Sequence, residues 1–214
     1  MANRNPIPGK AQKRLGRPTD GAKRLAIVEA AAQSFFGVGY AATSIEQIAE
    51  NAGVSKVTIY NHFGDKGALF SAAVTHECEK MRGYFSIEGA ASGTLRDQLQ
   101  TIGEGMFAFL SRPEMIRFEH RVAAETEHDP AIGRAFLEAG PWRMKESFGA
   151  FLEHATQAGE LTVDEPQLAA EQFVAMCKGM GDLERRFGVM PSKEASAKRI
   201  AGAVDVFLAA YGVG

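Results

Sequence analysis

Apolar residues recur at three- and four-residue steps along most of this chain. Leu25, Val28, Ala32 and Phe35-Phe36 begin the pattern, which predicts an amphipathic helix over residues 20–37. Asp20 suits its N-cap, and Gly37 and Gly39 suit its end. The same periodicity predicts helices over 45–52, 55–61, 66–85, 94–111, 113–126, 130–157, 165–187 and 193–211. Gly83, Gly89, Gly93, Pro113, Asp129-Pro130, Gly159, Pro166, Gly188 and Pro191 punctuate them. No segment sustains a two-residue alternation, so strands are not expected, and no internal repeat or low-complexity run is found.

Residues 1–19 depart from this pattern. They are rich in Pro, Gly, Lys and Arg and are expected to form a flexible basic arm. Gly16-Arg17-Pro18 suits either a plain tail or an arm lying in a DNA minor groove, where Arg reads groove width and potential.

The segment from Thr43 to Phe70 holds the most information. Thr43 and Ser44 are each followed three residues later by Glu46 and Gln47, the spacing of a capping box. Ile45, Ile48, Ala49 and Ala52 then form one apolar face, and the alanines let another helix approach closely. Gly53 can turn the chain with a left-handed backbone, Val54 can plug the corner, and Ser55 can cap a second short helix. In that helix Ile59 and Phe63 face inward, four residues apart, which leaves Lys56, Val57, Thr58, Tyr60 and Asn61 outward. A cation, a hydroxyl, a phenol, an amide and a small apolar group on one face suit phosphates and base edges. Two packed helices without DNA would share the corner alone. The capping, corner, inward pair and polar exterior in one register point to a helix-turn-helix.

These residues resemble the TetR family of transcriptional regulators over about residues 20–70. The likeness rests on Phe35-Phe36, Gly39-Tyr40, Thr43-Ser44, Ile48-Ala49, Ala52-Gly53-Val54-Ser55, Thr58-Ile59-Tyr60, His62-Phe63, Lys66 and Leu69-Phe70. The resemblance implies an all-α dimer with one head per subunit and a C-terminal regulatory domain. It implies major-groove contacts from Lys56, Val57, Thr58, Tyr60 and Asn61, and phosphate contacts from Thr43, Ser44, Tyr60, His62 and Lys66. Two positions depart from the pattern. Val57 stands where Gly or Pro is common, and Gly67 replaces a usual Glu at the start of the fourth helix. Farther on, Phe118-Glu119-His120-Arg121-Val122-Ala123-Ala124-Glu125, Asp129-Pro130, Ala135-Phe136, Ala139-Gly140-Pro141 and Gly159-Glu160-Leu161 resemble the AefR-like regulatory domain.

Charge agrees with a nucleic-acid-binding head. The net charge of −2 divides unevenly: residues 1–67 carry +4 and the remainder −6. A basic head on an acidic body suits a polyanion at the head, although a solvated basic tail gives the same numbers. No stretch approaches the ~18 consecutive apolar residues of a membrane span. The basic N-terminus is not followed by an apolar run of the secretory kind. Cys78 and Cys177 are far apart and outside any CxxC spacing, so neither a disulfide framework nor a zinc site is expected, and a cytoplasmic setting is.

In the body, Met106, Phe107, Phe109, Leu110, Phe118, Trp142, Met144, Phe148, Phe151, Phe173 and Met176 are candidates to line a pocket for a hydrophobic or aromatic small molecule. Each also fits plain core, and the lone indole of Trp142 needs packing and an N–H partner. His76, His120, His128 and His154 match no metal-ligand spacing, and no metal or other cofactor is expected. Nothing near either cysteine predicts a lowered pKa, so a redox switch is not expected. The last helices carry Cys177, Met180, Leu183, Phe187, Val204, Phe207, Leu208 and Tyr211, which suit a four-helix dimer interface or the domain's own core; the family resemblance favours the dimer.

The expected architecture is all-α: the basic arm (1–19), an N-terminal three-helix helix-turn-helix DNA-binding domain (20–66), and a C-terminal helical ligand-binding and dimerisation bundle (67–214). There is no GxSxG, Walker loop or Gly-rich dinucleotide motif after a strand, so enzymes are not expected. The expected function is a homodimeric repressor that leaves a palindromic or near-palindromic double-stranded operator when a small effector binds. An activator, or a constitutive DNA-binding protein without an effector, fits the same residues.

Overall fold

The structure, a computed structural model, describes residues 20–84 and 93–213; the expected basic arm lies outside them. Among the described residues the chain is helical throughout: α1 Asp20–Val38, α2 Ile45–Asn51, α3 Lys56–Phe63, α4 Lys66–Tyr84, α5 Leu95–Leu110, α6 Pro113–Thr126, α7 Pro130–Ala139, α8 Pro141–Gln157, α9 Pro166–Arg186 and α10 Lys193–Tyr211. The described residues form no strand, only an isolated antiparallel bridge between Leu161 and Gly212.

Most helix starts satisfy their orphan N–H groups locally. Ser44, Ser55 and Ser192 cap α2, α3 and α10 with their hydroxyls. Thr94 and Asp97 close a reciprocal capping box on α5. Pro113, Pro130, Pro141 and Pro166 occupy first positions, where a missing N–H costs nothing.

Two features differ from the sequence expectation. The single helix expected over 130–157 is two, α7 and α8, broken at Gly140 with φ −125° and ψ −89°. The cause is Pro141: its ring removes a donor, clashes with the preceding turn and drives the residue before it out of helical geometry. The second feature is inside α9, where Gly179 takes φ 45° and ψ −153°. A Cβ there would stand 2.9 Å from Cδ of Arg199, whose guanidinium lies over the Phe107 ring. The close approach of α10 thus requires a residue without a side chain.

The apolar core forms two clusters, and their boundary does not follow the expected division at residue 66. One gathers Ile27, Phe35, Ile48, Ile59 and Phe70 from α1–α4 together with Phe118 and Val122 of α6 and Ile132 of α7. The other joins α5, α8, α9 and α10 through Leu99, Leu152, Phe173, Ile200 and Phe207. Thus α6 and α7 pack as part of the head's core. Phe36 of α1 stacks on Phe118 of α6 with ring centroids 3.8 Å apart.

Candidate nucleic-acid interface and the cavity behind it

The turn from α2 to α3 follows from local residues. Gly53 takes φ 66°, and Val54 donates its N–H to the Ala49 carbonyl at 2.9 Å, ending α2. Ser55 then accepts the Thr58 N–H at 3.1 Å and starts α3. Ile59 is 1 % exposed and anchors α3 against the head. The opposite face is open: Val57 is 65 % exposed and Tyr60 44 %, with Lys56 and Asn61 beside them. Lys56 donates to Glu46 of α2 at 2.7 Å. That hydrogen bond holds the Glu46 carboxyl below its usual pKa and raises that of Lys56. Both groups are exposed, and such pairs are weak in water, so Lys56 can exchange Glu46 for a phosphate.

The other expected DNA contacts are placed differently. Ser44 lies at the head of α2 with its hydroxyl accepting the Gln47 N–H. Thr43 is buried, 3 % exposed, and its hydroxyl donates to the Gly39 carbonyl at 2.6 Å. It locks the turn before α2 and offers nothing to phosphate. The Thr58 hydroxyl is engaged with Ser55 at 2.9 Å. The His62 side chain is 16 % exposed and lies 3.5 Å from the Asp20 carboxylate. Lys66 sits 4.5 Å above the Tyr40 ring, where burial lowers its pKa. The start of α4, where Gly67 stands in place of the usual Glu, is capped by Asp65, which accepts the Ala68 N–H at 2.7 Å. Asp65, at the helix's N-cap, was the signal that the sequence reading passed over.

Behind the head lies a cavity of about 1380 Å³ between the two core clusters. Of the expected lining, Met106, Phe109, Leu110, Phe118, Trp142, Met144, Phe148, Phe151 and Phe173 are present. Phe107 and Met176 are absent from it: both pack into the second core cluster. Trp142 is 43 % exposed at the cavity and so does not have the enclosed packing expected of a lone indole.

Sequence reasoning missed the polar side of the cavity. Arg185 is 1 % exposed, lines it, and ties three helices together. It donates to Asp182 through Nε at 3.0 Å, to the Leu110 carbonyl at 2.8 Å and to Glu119 at 3.1 Å. A buried Arg is affordable only when so paired. Its position on a helix expected to pack against a partner gave no hint of this.

Also missed was the link between cavity and head. Phe118 and Val122 of α6 line the cavity, while Arg121 and Glu125 of the same helix hold the end of α1. Arg121 donates to the Phe36 carbonyl at 2.9 Å and to the Gly37 carbonyl. Glu125 accepts the backbone N–H groups of Tyr40 at 3.1 Å and Ala41 at 3.3 Å. Gly39, at φ 95°, makes room: a Cβ there would lie 2.5 Å from Oε1 of Glu125. The pattern was present in the sequence as two pairs, 118/122 and 121/125, each spaced one helical turn and running as adjacent strips, one apolar and one charged, along the same side of the helix.

Met180 and Leu183 on α9 and Phe187 at its C-cap are 66 %, 47 % and 81 % exposed. Leu208 and Tyr211 are half-buried, and the Tyr211 hydroxyl donates to Gln172. Cys177, Val204 and Phe207, expected at a dimer interface, are fully buried inside the second core cluster, because they sit on the inward stripes of their helices. Both cysteines are free, and burial pushes the Cys78 thiol up to about 11 and Cys177 up to about 12. Among the described residues no three His, Cys, Asp or Glu side chains gather as metal ligands, and no helix is long and apolar enough to cross a membrane.

A capped helix pair with an open outer face, carried on an all-α body, defines a helix-turn-helix DNA-binding protein. The chain belongs to the TetR family of transcriptional regulators. Residues 27–73 match the family description "Bacterial regulatory proteins, tetR family", and residues 97–213 match "AefR-like transcriptional repressor, C-terminal domain". An HTH-type transcriptional repressor of Mycobacterium tuberculosis is 31 % identical over 117 residues, a stretch covering 55 % of this chain and 58 % of that protein. Among solved structures, a TetR-family regulator from Mesorhizobium loti shares 29 % identity at a TM-score of 0.76, covering 92 % of this chain and all of that one. The flavonoid-responsive regulator FrrA shares 31 % identity at a TM-score of 0.73, over 90 % of this chain and 98 % of that one. The family is one of regulators, not of enzymes.

Proposed function

We propose that the protein is a ligand-responsive repressor, working in the cytoplasm, that releases its operator when a small hydrophobic or aromatic molecule fills the cavity. The observation that supports this most is α6, whose one face borders the cavity while Arg121 and Glu125 grip the end of α1. A ligand pressing on Phe118 bears on Phe36, its stacking partner on α1. A shift of α6 relative to α1 then reorients the turn that carries α2 and α3. The ligand acts only by its different affinity for the two geometries. The size and aromatic lining of the cavity favour an effector of this kind, and the described response of FrrA to flavonoids points the same way.

The operator contacts would come from Lys56, Val57, Tyr60 and Asn61, with the Thr58 and Ser44 hydroxyls at the edge of the same surface. Family members bind operators and typically dimerise. The partner here would be a second copy, packed on Met180 and Leu183 of α9, on Phe187 at its C-cap and on Val206 of α10, which is 58 % exposed. A two-fold dimer presents its recognition helices to successive major grooves about 34–36 Å apart, which a near-palindromic operator matches.

The test is fluorescence anisotropy on duplexes selected by the protein from a randomised pool. The reading expects tight, salt-sensitive binding that a cavity ligand weakens. Binding that no ligand of the cavity alters would leave a constitutive DNA-binding protein.

A further inference from the structure

We propose that the cavity selects a neutral, flat aromatic ligand bearing hydroxyl donors, and that Glu119, seconded by Asp182, is the acceptor that recognises them. This rests on the cavity being an effector site. The aromatic wall alone does not choose among flat apolar molecules, so the choice falls to the polar groups. Arg185 spends four hydrogen bonds on Asp182, Glu119 and the Leu110 carbonyl. Its donors are therefore largely committed to the protein. The carboxylates are committed on one oxygen each. Arg185 occupies Oε2 of Glu119 and Oδ1 of Asp182, and no donor among the described residues reaches Oε1 of Glu119 or Oδ2 of Asp182. Beside Arg185 the cavity therefore presents spare acceptors, while its other cations, Lys145, Lys178 and Arg186, stand elsewhere in the lining.

At the Glu119 and Asp182 end, charge disfavours an ionic ligand. Glu79, Glu119, Glu171 and Asp182 line the cavity against Lys145, Lys178, Arg185 and Arg186, so the lining has no net charge. Lys145 is paired with Glu171 at 3.3 Å and Lys178 approaches Asp182 at 3.9 Å. A carboxylate ligand would meet Glu119 and Asp182 with like charge. A cation would lose its water against the rings of Phe118, Phe148 and Phe173 and find both carboxylates already half neutralised by Arg185. A phenolic hydroxyl donates to a carboxylate without bringing a charge of its own, and such charge-assisted bonds are stronger than neutral ones.

Calorimetric titration of the full-length protein with flavone, a trihydroxyflavone and the corresponding trimethoxyflavone tests this. The three share one flat frame, and methylation keeps the oxygens while removing the donors. The trihydroxy compound is expected to bind at least about tenfold tighter than either other. In Glu119→Gln that advantage should shrink by about fivefold or more, while flavone affinity stays within about twofold. Equal affinities for the three compounds in the wild-type protein, or an advantage that survives both Glu119→Gln and Asp182→Asn, overturns the acceptor assignment and leaves the cavity as an effector site. Binding by none of the three overturns both. If a variant does not fold, the hydroxy-to-methoxy comparison on the wild-type protein decides alone.

Discussion

Phe35 and Phe148 are the same residue in opposite circumstances. Phe35, in the head, is 0 % exposed and packed between the rings of Tyr40 and Phe70. Phe148, in the body, touches Phe151 and Phe173 on one side and borders the open cavity on the other. The head is filled and the body is hollow. A filled core fixes the spacing of α2 and α3, which reading DNA requires. A hollow one forgoes dispersion contacts that a ligand can restore, so ligand binding stabilises the body and can bias its geometry. Polar bonds border the hollow: Arg185, in its lining, links α5, α6 and α9.

The comparison breaks most easily at that clasp. Arg185→Met leaves Glu119 and Asp182 without their cation and should cost about 3–5 kcal/mol, read by urea denaturation. A loss below 1 kcal/mol would mean that the body does not depend on it. Phe35→Ala should cost a similar ~3–5 kcal/mol, because the filled head cannot collapse onto the gap. Phe148→Ala, on a wall already facing empty space, should cost only about 1–2 kcal/mol. Equal losses from the two phenylalanines would erase the contrast between the regions. Ser55→Ala removes the cap of α3 and should cost about 1 kcal/mol and weaken DNA binding with it. Val57→Ala, at the open face, should change stability by less than about 0.5 kcal/mol while altering the bases preferred in a randomised-site selection. An unchanged preference would remove Val57 from base readout.

The two regions also differ in how far the sequence exposed them. The helix pair was legible because everything that makes it lies within about twenty residues: the Ser44 and Ser55 caps, the Gly53 turn, the inward Ile59. These are local rules, and the chain obeys them locally. The misplacements at the same site came from one short contact that the capping pattern hid and one long contact. Thr43 turns inward to the Gly39 carbonyl, and His62 lies beside Asp20 at the far end of the head. The cavity was half legible. Periodicity identified which residues are apolar, and it could not say which stripe meets a void. Phe107 and Met176 therefore fell into solid core, while Phe136 and Met115, passed over in the sequence, line the space. The break at Gly140 was missed because an unbroken apolar period outweighed a proline that the sequence plainly carries. Burial likewise divides the final helices: Phe207 and Val204 point in, and Val206 points out, a distinction of two residues that only packing makes.

The account depends on α6 transmitting the state of the cavity to the head through Arg121 and Glu125. The most direct measurement is the affinity of a cavity ligand, found by thermal shift, with and without saturating duplex DNA selected on the protein, in the wild type and in the Arg121→Ala, Glu125→Ala double variant. Linkage makes the coupling reciprocal, so DNA should weaken ligand binding by about 5–150-fold in the wild type. In the double variant both ligands should still bind and the factor should fall toward one; an undiminished factor there would contradict the account.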